Sequence, residues 1–92
     1  MQVDFYATLR QIVGAKSIEI PLNNEPTVKL LIQEIIKRYP ALQEKLLDDD
    51  GQIQGHVHIN INGRNATFLE QGMDTVLSMH DRVSIFPAIG GG

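Results

Sequence analysis

Ninety-two residues are enough for one small domain and too few for two, and a chain of this size buries only about 60–65% of its unfolded surface. Apolar residues make up 42% of the chain and charged residues 21%, ordinary proportions for a soluble globular protein. A net charge of −3 argues against nucleic acid as a partner, and the absence of cysteine excludes disulfides, thiolate zinc sites, iron–sulfur clusters and a cysteine nucleophile. With no apolar leader and no run of membrane length, the expected location is the cytoplasm and no membrane partner is expected.

Residues 2–8 alternate, with Val3, Phe5 and Ala7 on one face and Gln2, Asp4, Tyr6 and Thr8 on the other, which predicts a strand with one buried face. Residues 9–15 break the alternation and Gly14 marks a turn. Residues 16–20 resume it through Ile18 and Ile20, and Pro21, which cannot donate to a ladder, ends the run. The expectation is two strands joined by a short loop. Asn23-Asn24-Glu25-Pro26 punctuates the chain, and Thr27 is the expected N-cap of a helix. Val28, Leu31, Ile32, Ile35, Ile36 and Tyr39 draw one apolar stripe, with Lys29, Gln33, Glu34 and Lys37 opposite. Pro40 stops the helix at Tyr39, and Lys37 and Arg38 suit its negative end.

Residues 41–47 read as a short helical turn with Leu42, Leu46 and Leu47 inward, followed by a polar loop over 48–55. Residues 56–62 alternate cleanly, Val57, Ile59 and Ile61 against His56, His58, Asn60 and Asn62. Asn62-Gly63 is a hairpin signal, with the return strand expected over 66–69. Gln71-Gly72 turns the chain; Val76, Leu77 and Met79 are expected to plug one end of the core. Asp81 precedes a last strand over 82–86, with Val83 and Ile85 facing one way and Arg82, Ser84 and Phe86 the other. One amphipathic helix and about five strands predict a two-layer α+β domain over residues 1–87, with residues 88–92 as a flexible glycine tail.

Little in the body of the chain carries chemistry. Asp48-Asp49-Asp50 lacks the alternating ligands and closing Glu of a calcium loop. His56 and His58 share a strand face, but a zinc site needs three or four ligands, so a polar solvent-side pair is the simpler reading. No Ser/His/Asp order, paired acids or phosphate loop stands out, and nothing marks the chain as an enzyme. Phe86 has two readings: an exposed aromatic that forms a partner surface with Tyr6 beside the tail, or a ring that curls into the core as the strand ends.

The tail is the exception. Phe86-Pro87-Ala88-Ile89 runs into Gly90-Gly91-Gly92. A frayed terminus is one reading. The other is a presented carboxylate, because glycines thread a narrow tunnel that side chains would block. An α-carboxylate is ionised at neutral pH and is a poor electrophile until activated, typically as an acyl-adenylate. The ATP for that step would belong to a partner enzyme.

Four stretches together resemble the MoaD/ThiS family of ubiquitin-like β-grasp sulfur carriers, over essentially the whole chain. They are Val3-Asp4-Phe5-Tyr6-Ala7-Thr8-Leu9-Arg10, Thr27-Val28 with Arg38-Tyr39-Pro40, Ile59-Asn60-Ile61-Asn62-Gly63-Arg64, and Asp81-Arg82-Val83-Ser84-Ile85-Phe86-Pro87 leading to Gly91-Gly92. The resemblance implies a mixed sheet whose first and last strands are parallel neighbours. It implies an adenylating partner of the ubiquitin-activator type, a thiocarboxylate formed on Gly92, and Gly91 threading beside it. Phe86 takes the place of the aromatic that meets partners, and Pro87 that of the residue stiffening the tail's exit. The expected partners are the molybdopterin synthase large subunit or another sulfur-accepting enzyme, with no cofactor bound by the chain itself. A CysO-like carrier for cysteine synthesis and a protein modifier joined through Gly92 are the alternatives; a plain interaction module with an idle tail is a third. The third glycine departs from the family's usual two, Gly90 standing where a small apolar residue is common.

Overall fold

The alternation that opens the chain makes a strand, but a shorter one than its pattern predicts. In the computed structural model, which describes residues 1–21, 26–66 and 70–87, β1 spans Gln2–Phe5 and a helix, α1, begins at once over Ala7–Val13. The expected loop over 9–15 is therefore mostly helix, and Ala7 and Thr8 are exposed helical residues rather than strand residues. The cause lies in Leu9, Ile12 and Val13, whose three- and four-residue spacing gives the helix an apolar stripe; Leu9 is buried and the other two pack against the core. Gly14 does not turn a hairpin but caps α1, adopting φ 84° and donating to the Arg10 carbonyl at 2.8 Å. The chain then returns as β2, Ser17–Glu19, antiparallel to β1.

Thr27 caps α2, Val28–Arg38, as expected: its hydroxyl accepts from the Leu30 amide at 3.2 Å. The amide of Val28, another helix-end donor without an intrahelical partner, bonds the Thr75 carbonyl at 3.0 Å. Val28, Leu31, Ile32 and Ile35 are buried along the predicted stripe, while Ile36 and Tyr39 pack at its margin. Pro40 ends the helix by opening a 3-10 turn, Pro40–Leu42, which continues as α3, Gln43–Leu46. Leu42 and Leu46 enter the core and Leu47 packs at its edge.

The second half follows the same local logic. β3, Val57–Ile61, alternates buried and half-buried residues. Asn62 (φ 53°) and Gly63 (φ 86°) are both left-handed, the geometry of a two-residue hairpin turn. A two-residue turn pairs Ile61 with Arg64, so the return strand β4, Arg64–Asn65, begins two residues before the expected start at Ala66. Ala66 is buried beyond the strand, and positions 67–69 of the expected strand lie outside the described residues. A 3-10 turn occupies Gly72–Asp74. Leu77 is buried, but Val76 and Met79 are 50% and 76% exposed and plug nothing. β5, Arg82–Pro87, closes the sheet.

The sheet order is β2-β1-β5-β3-β4, with β1 and β5 parallel and the other neighbours antiparallel. Val3 and Phe5 of β1, Val83 and Ile85 of β5, and Val57, Ile59 and Ile61 of β3 form one core cluster with the buried stripe of α2. This is the ubiquitin-like β-grasp expected, an α+β fold with a five-stranded mixed sheet. Because β1 and β5 run in parallel, their ends coincide: the start of α1 and the exit toward the tail emerge side by side.

Candidate docking surface at the tail exit

The face of the sheet away from α2 carries Gln2, Asp4 and, one residue beyond β1, Tyr6; Arg82, Ser84 and Phe86 of β5; and His58 and Asn60 of β3. Its two ends differ.

At the starts of β1 and β5, polar groups satisfy one another. Asp4 is only 5% exposed although it points away from the core. Its Oδ2 accepts from Arg82 Nε at 2.8 Å, and its Oδ1 from Ser17 Oγ at 2.5 Å and Gln2 Nε2 at 3.0 Å. Burial pushes the Asp4 carboxyl upward, but the hydrogen bonds from Ser17, Gln2 and Arg82, with the Arg82 charge, outweigh it and hold it below its ordinary value. Asn62 and Asp81 tie the β3–β4 turn to the same region: Asn62 Oδ1 accepts from the Arg82 amide at 2.9 Å, and Asp81 Oδ1 from Asn62 Nδ2 at 2.9 Å.

At the far ends of the same strands the contacts are aromatic. The Tyr6 amide bonds the Ile85 carbonyl at 3.2 Å, which carries the parallel ladder one step past β1. Ala7 then bends the chain with φ 53°, an uncommon conformation for a residue with a Cβ. Tyr6, 41% exposed, meets the Phe86 ring edge-on at 5.9 Å and 83°. On its other side Phe86 stacks with His58 at 5.4 Å and 18°, as the pairing of His58 with Phe86 across β3 and β5 requires. Asn65 Nδ2 lies 2.9 Å from His58 Nδ1, within hydrogen-bond distance. Arg10 sits 5.4 Å over the Tyr6 ring, and its Nε donates to the Phe5 carbonyl at 3.0 Å. Tyr6, Ala7, Asn60, Ser84, Phe86 and Pro87 line a shallow groove here.

The structure thus brings Tyr6, Phe86 and Pro87 to one place. Phe86 neither curls into the core nor stands free; it is half-buried on the outer face between Tyr6 and His58. Pro87 pairs with Val57, so β5 stays in the sheet up to the residue before the tail. Ala88, Ile89, Gly90, Gly91 and Gly92 lie outside the described residues. His56 is exposed, and among the described residues no group of three or more His, Cys, Asp or Glu side chains is placed to hold a metal ion. No described helix is long and apolar enough to cross a membrane. Sequence reasoning missed Arg10, His58, Asn60 and Ser84 as parts of this surface. The alternation of β3 carried a signal for His58 and Asn60, whereas Arg10 needed α1 to be recognised first.

The model of the ThiS family matches residues 3–92. Small archaeal modifier protein 3 of Haloferax volcanii is 36% identical, the match covering 100% of this chain and 98% of the relative. The crystal structure of SAMP1 from Haloferax volcanii superposes with a TM-score of 0.86 at 22% identity, covering 99% of this chain and 97% of that one. A Pyrococcus furiosus structure, provisionally assigned as molybdopterin converting factor subunit 1, gives a TM-score of 0.74 at 32% identity, covering 96% and 95%.

Proposed function

This chain belongs to the ThiS family, a small ubiquitin-like protein of the sulfur-carrier and modifier type, and from that premise we propose that Gly92 is its working group. The Gly92 carboxylate attacks the α-phosphorus of ATP held by an adenylating partner of the ubiquitin-activator type, expelling pyrophosphate and forming an acyl-adenylate. A sulfur nucleophile at the oxidation level of sulfide then adds to the activated carbonyl. It expels AMP, loses its proton and leaves a terminal thiocarboxylate. The chain supplies the carboxyl and a handle; the partners supply ATP, sulfur and catalysis. On this reading the chain is a non-catalytic cytoplasmic carrier that binds no cofactor of its own.

The observation that carries the proposal is the convergence of Tyr6 and Phe86 at the strand ends where the chain runs on into Gly90-Gly91-Gly92. A paired aromatic surface beside a tail without side chains suits an enzyme that grips the domain and threads the end. Gly91 and Gly90 follow Gly92 into the partner's channel, and Ala88 and Ile89 span from Pro87 to it. The first acceptor in this reading is the large subunit of molybdopterin synthase, supported by the 32% identity to the Pyrococcus furiosus protein. The test is intact mass after incubation with an adenylating enzyme, ATP and a sulfide donor. One oxygen exchanged for sulfur is expected, and is lost when Gly92 is deleted although thermal unfolding is unchanged. An unmodified wild-type mass with an active partner overturns the proposal.

A second reading draws on the full-length match to small archaeal modifier protein 3. Here a lysine amine attacks the activated carbonyl instead, expelling AMP and forming an isopeptide. The first step is shared and only the nucleophile differs. Gly-Gly remnants on lysines of cellular proteins, absent when the chain is deleted, would establish this fate. A CysO-like transfer to a cysteine-forming enzyme is the third fate of the same thiocarboxylate.

A further inference from the structure

Among the described residues no carboxylate forms an ion pair with Arg10. Its Nε is committed to the Phe5 carbonyl and its guanidinium lies over Tyr6, two contacts that restrain the side chain. Among the described residues the other structured ion pairs are closed: Arg82 has Asp4, Arg38 has Glu34, and the amino terminus has Glu19. No described carboxylate lies within ion-pair distance of Arg10, and none of the described residues lining the groove beside it is acidic. On a chain of net charge −3 this is a local reversal of sign. The groove floor adds Asn60 and Ser84, paired through the backbone across β3 and β5. No described group hydrogen-bonds the Asn60 amide or the Ser84 hydroxyl.

A guanidinium already restrained loses little further entropy when it binds, and its planar fork matches a carboxylate in two parallel hydrogen bonds. The neighbouring walls of Tyr6, Ala7, Phe86 and Pro87 are apolar and would exclude water from such a pair. We infer that Arg10 and this groove form a socket for an acidic loop of the adenylating partner: one Asp or Glu is forked by Arg10, an adjoining apolar side chain lodges between Tyr6 and Phe86, and backbone amides of the loop bond Asn60 and Ser84. This rests on the reading of Gly92 as the adenylated end. It adds that recognition of the chain by its activator is set by charge at Arg10, about one helical turn from the strand end.

Full-length chain titrated against purified adenylating enzyme and ATP, with pyrophosphate release as readout, separates the two claims. Arg10→Met is expected to raise KM for the chain about 30-fold, and Arg10→Glu about 100-fold or more, as for removal or reversal of a desolvated charge partner. Arg10→Lys keeps the charge without the fork and is expected to lose about 10-fold. In each case kcat at saturating chain stays within about 2-fold, because Gly92 is untouched. Raising salt should raise KM for the wild type and leave Arg10→Met nearly flat. Asn60→Asp places a carboxylate on the groove floor without disturbing Arg10, so a loss of about 10-fold there supports the socket even if an Arg10 variant misfolds. Arg10→Glu and wild type with KM values within about 2-fold, or equal salt slopes, overturn it. A wild type that binds the enzyme yet releases no pyrophosphate refutes the role of Gly92 instead; the socket then stands or falls on the binding affinity of Arg10→Glu alone.

Discussion

The starts and the ends of β1 and β5 sit on one sheet face, a few residues apart, and are built on opposite principles. At the starts, Asp4 is buried by its own partners, every strong acceptor is matched, and Arg82 lies across the corner as a lid of charge. At the ends, the Phe86 side chain is held by rings, Tyr6 stays 41% exposed, and Arg10, bonded through Nε to the Phe5 carbonyl, has no described carboxylate partner. The first corner is complete without another molecule. The second leaves aromatic area and hydrogen-bonding capacity unused, which a protein of this size would not maintain for stability alone. Stability and recognition are therefore separable along one strand pair, and substitutions at the two ends should sort accordingly.

The largest effect is expected at the open end. Phe86→Ala removes the ring that both Tyr6 and His58 contact and should cost about 2–4 kcal/mol in affinity for the adenylating partner, read by titration calorimetry. Because the ring is only half-buried, unfolding in urea should show a loss of about 1–2 kcal/mol. A stability loss exceeding the affinity loss would mean that Phe86 belongs to the core and would erase the distinction between the two corners.

At the closed corner the order reverses. Arg82→Met leaves the Asp4 carboxylate with Ser17 and Gln2 but without its cation, and should cost about 1–2 kcal/mol of stability, moderated by the exposure of the Arg82 side chain. Partner affinity should not change. The same corner predicts an acid limb. Asp4 is lowered in the folded chain, so its contribution is present above the unfolded value of about 3.9 and disappears as pH falls through the lower folded value. Urea midpoints from about pH 6 down to about pH 2 should fall with acid in the wild type and less steeply in Asp4→Asn, since an amide there does not titrate. Parallel pH profiles would show that Asp4 is not the group responsible.

How far these corners were legible in the sequence depended on the range of the interactions that make them. β3, its Asn62-Gly63 turn and the Thr27 cap are local and follow from neighbouring residues. So does the phase that sets Tyr6 and Phe86 outward, and the parallel neighbours implied by the family resemblance bring them together. The return strand starts at Arg64 rather than at Ala66 because a two-residue turn fixes the pairing there. α1 was hidden because Ala7 and Thr8 happen to continue the alternation of β1 while Leu9, Ile12 and Val13 start a helical stripe within a few residues. With α1 hidden, Arg10 looked like a loop residue. Asp4 read as a solvent-side residue, because the partners that bury it come from β2 and β5, up to 78 positions away.

The smallest expected effect links both kinds of behaviour, because it concerns the residue that turns a strand into the wall of the open corner. Ala7, at the first position of α1, holds φ 53°, a conformation that costs a residue with a Cβ about 1 kcal/mol. Glycine would relieve that strain, though it adds conformational entropy to the unfolded chain worth about 0.4–1 kcal/mol. The two nearly offset, so Ala7→Gly should stabilise the fold by no more than about 1 kcal/mol, a rise of a few degrees at most in Tm for a chain this short. The Ala7 methyl, however, lines the groove, and without it the backbone behind Tyr6 is freer to move. Partner affinity should therefore drop slightly, by about 3-fold or less, as the preorganised ring pair loosens. Opposite signs in stability and affinity from a single methyl would show that the open corner is held in a strained arrangement for recognition. A fall in both would mean that Ala7 serves packing, and that the turn is strained for no functional return.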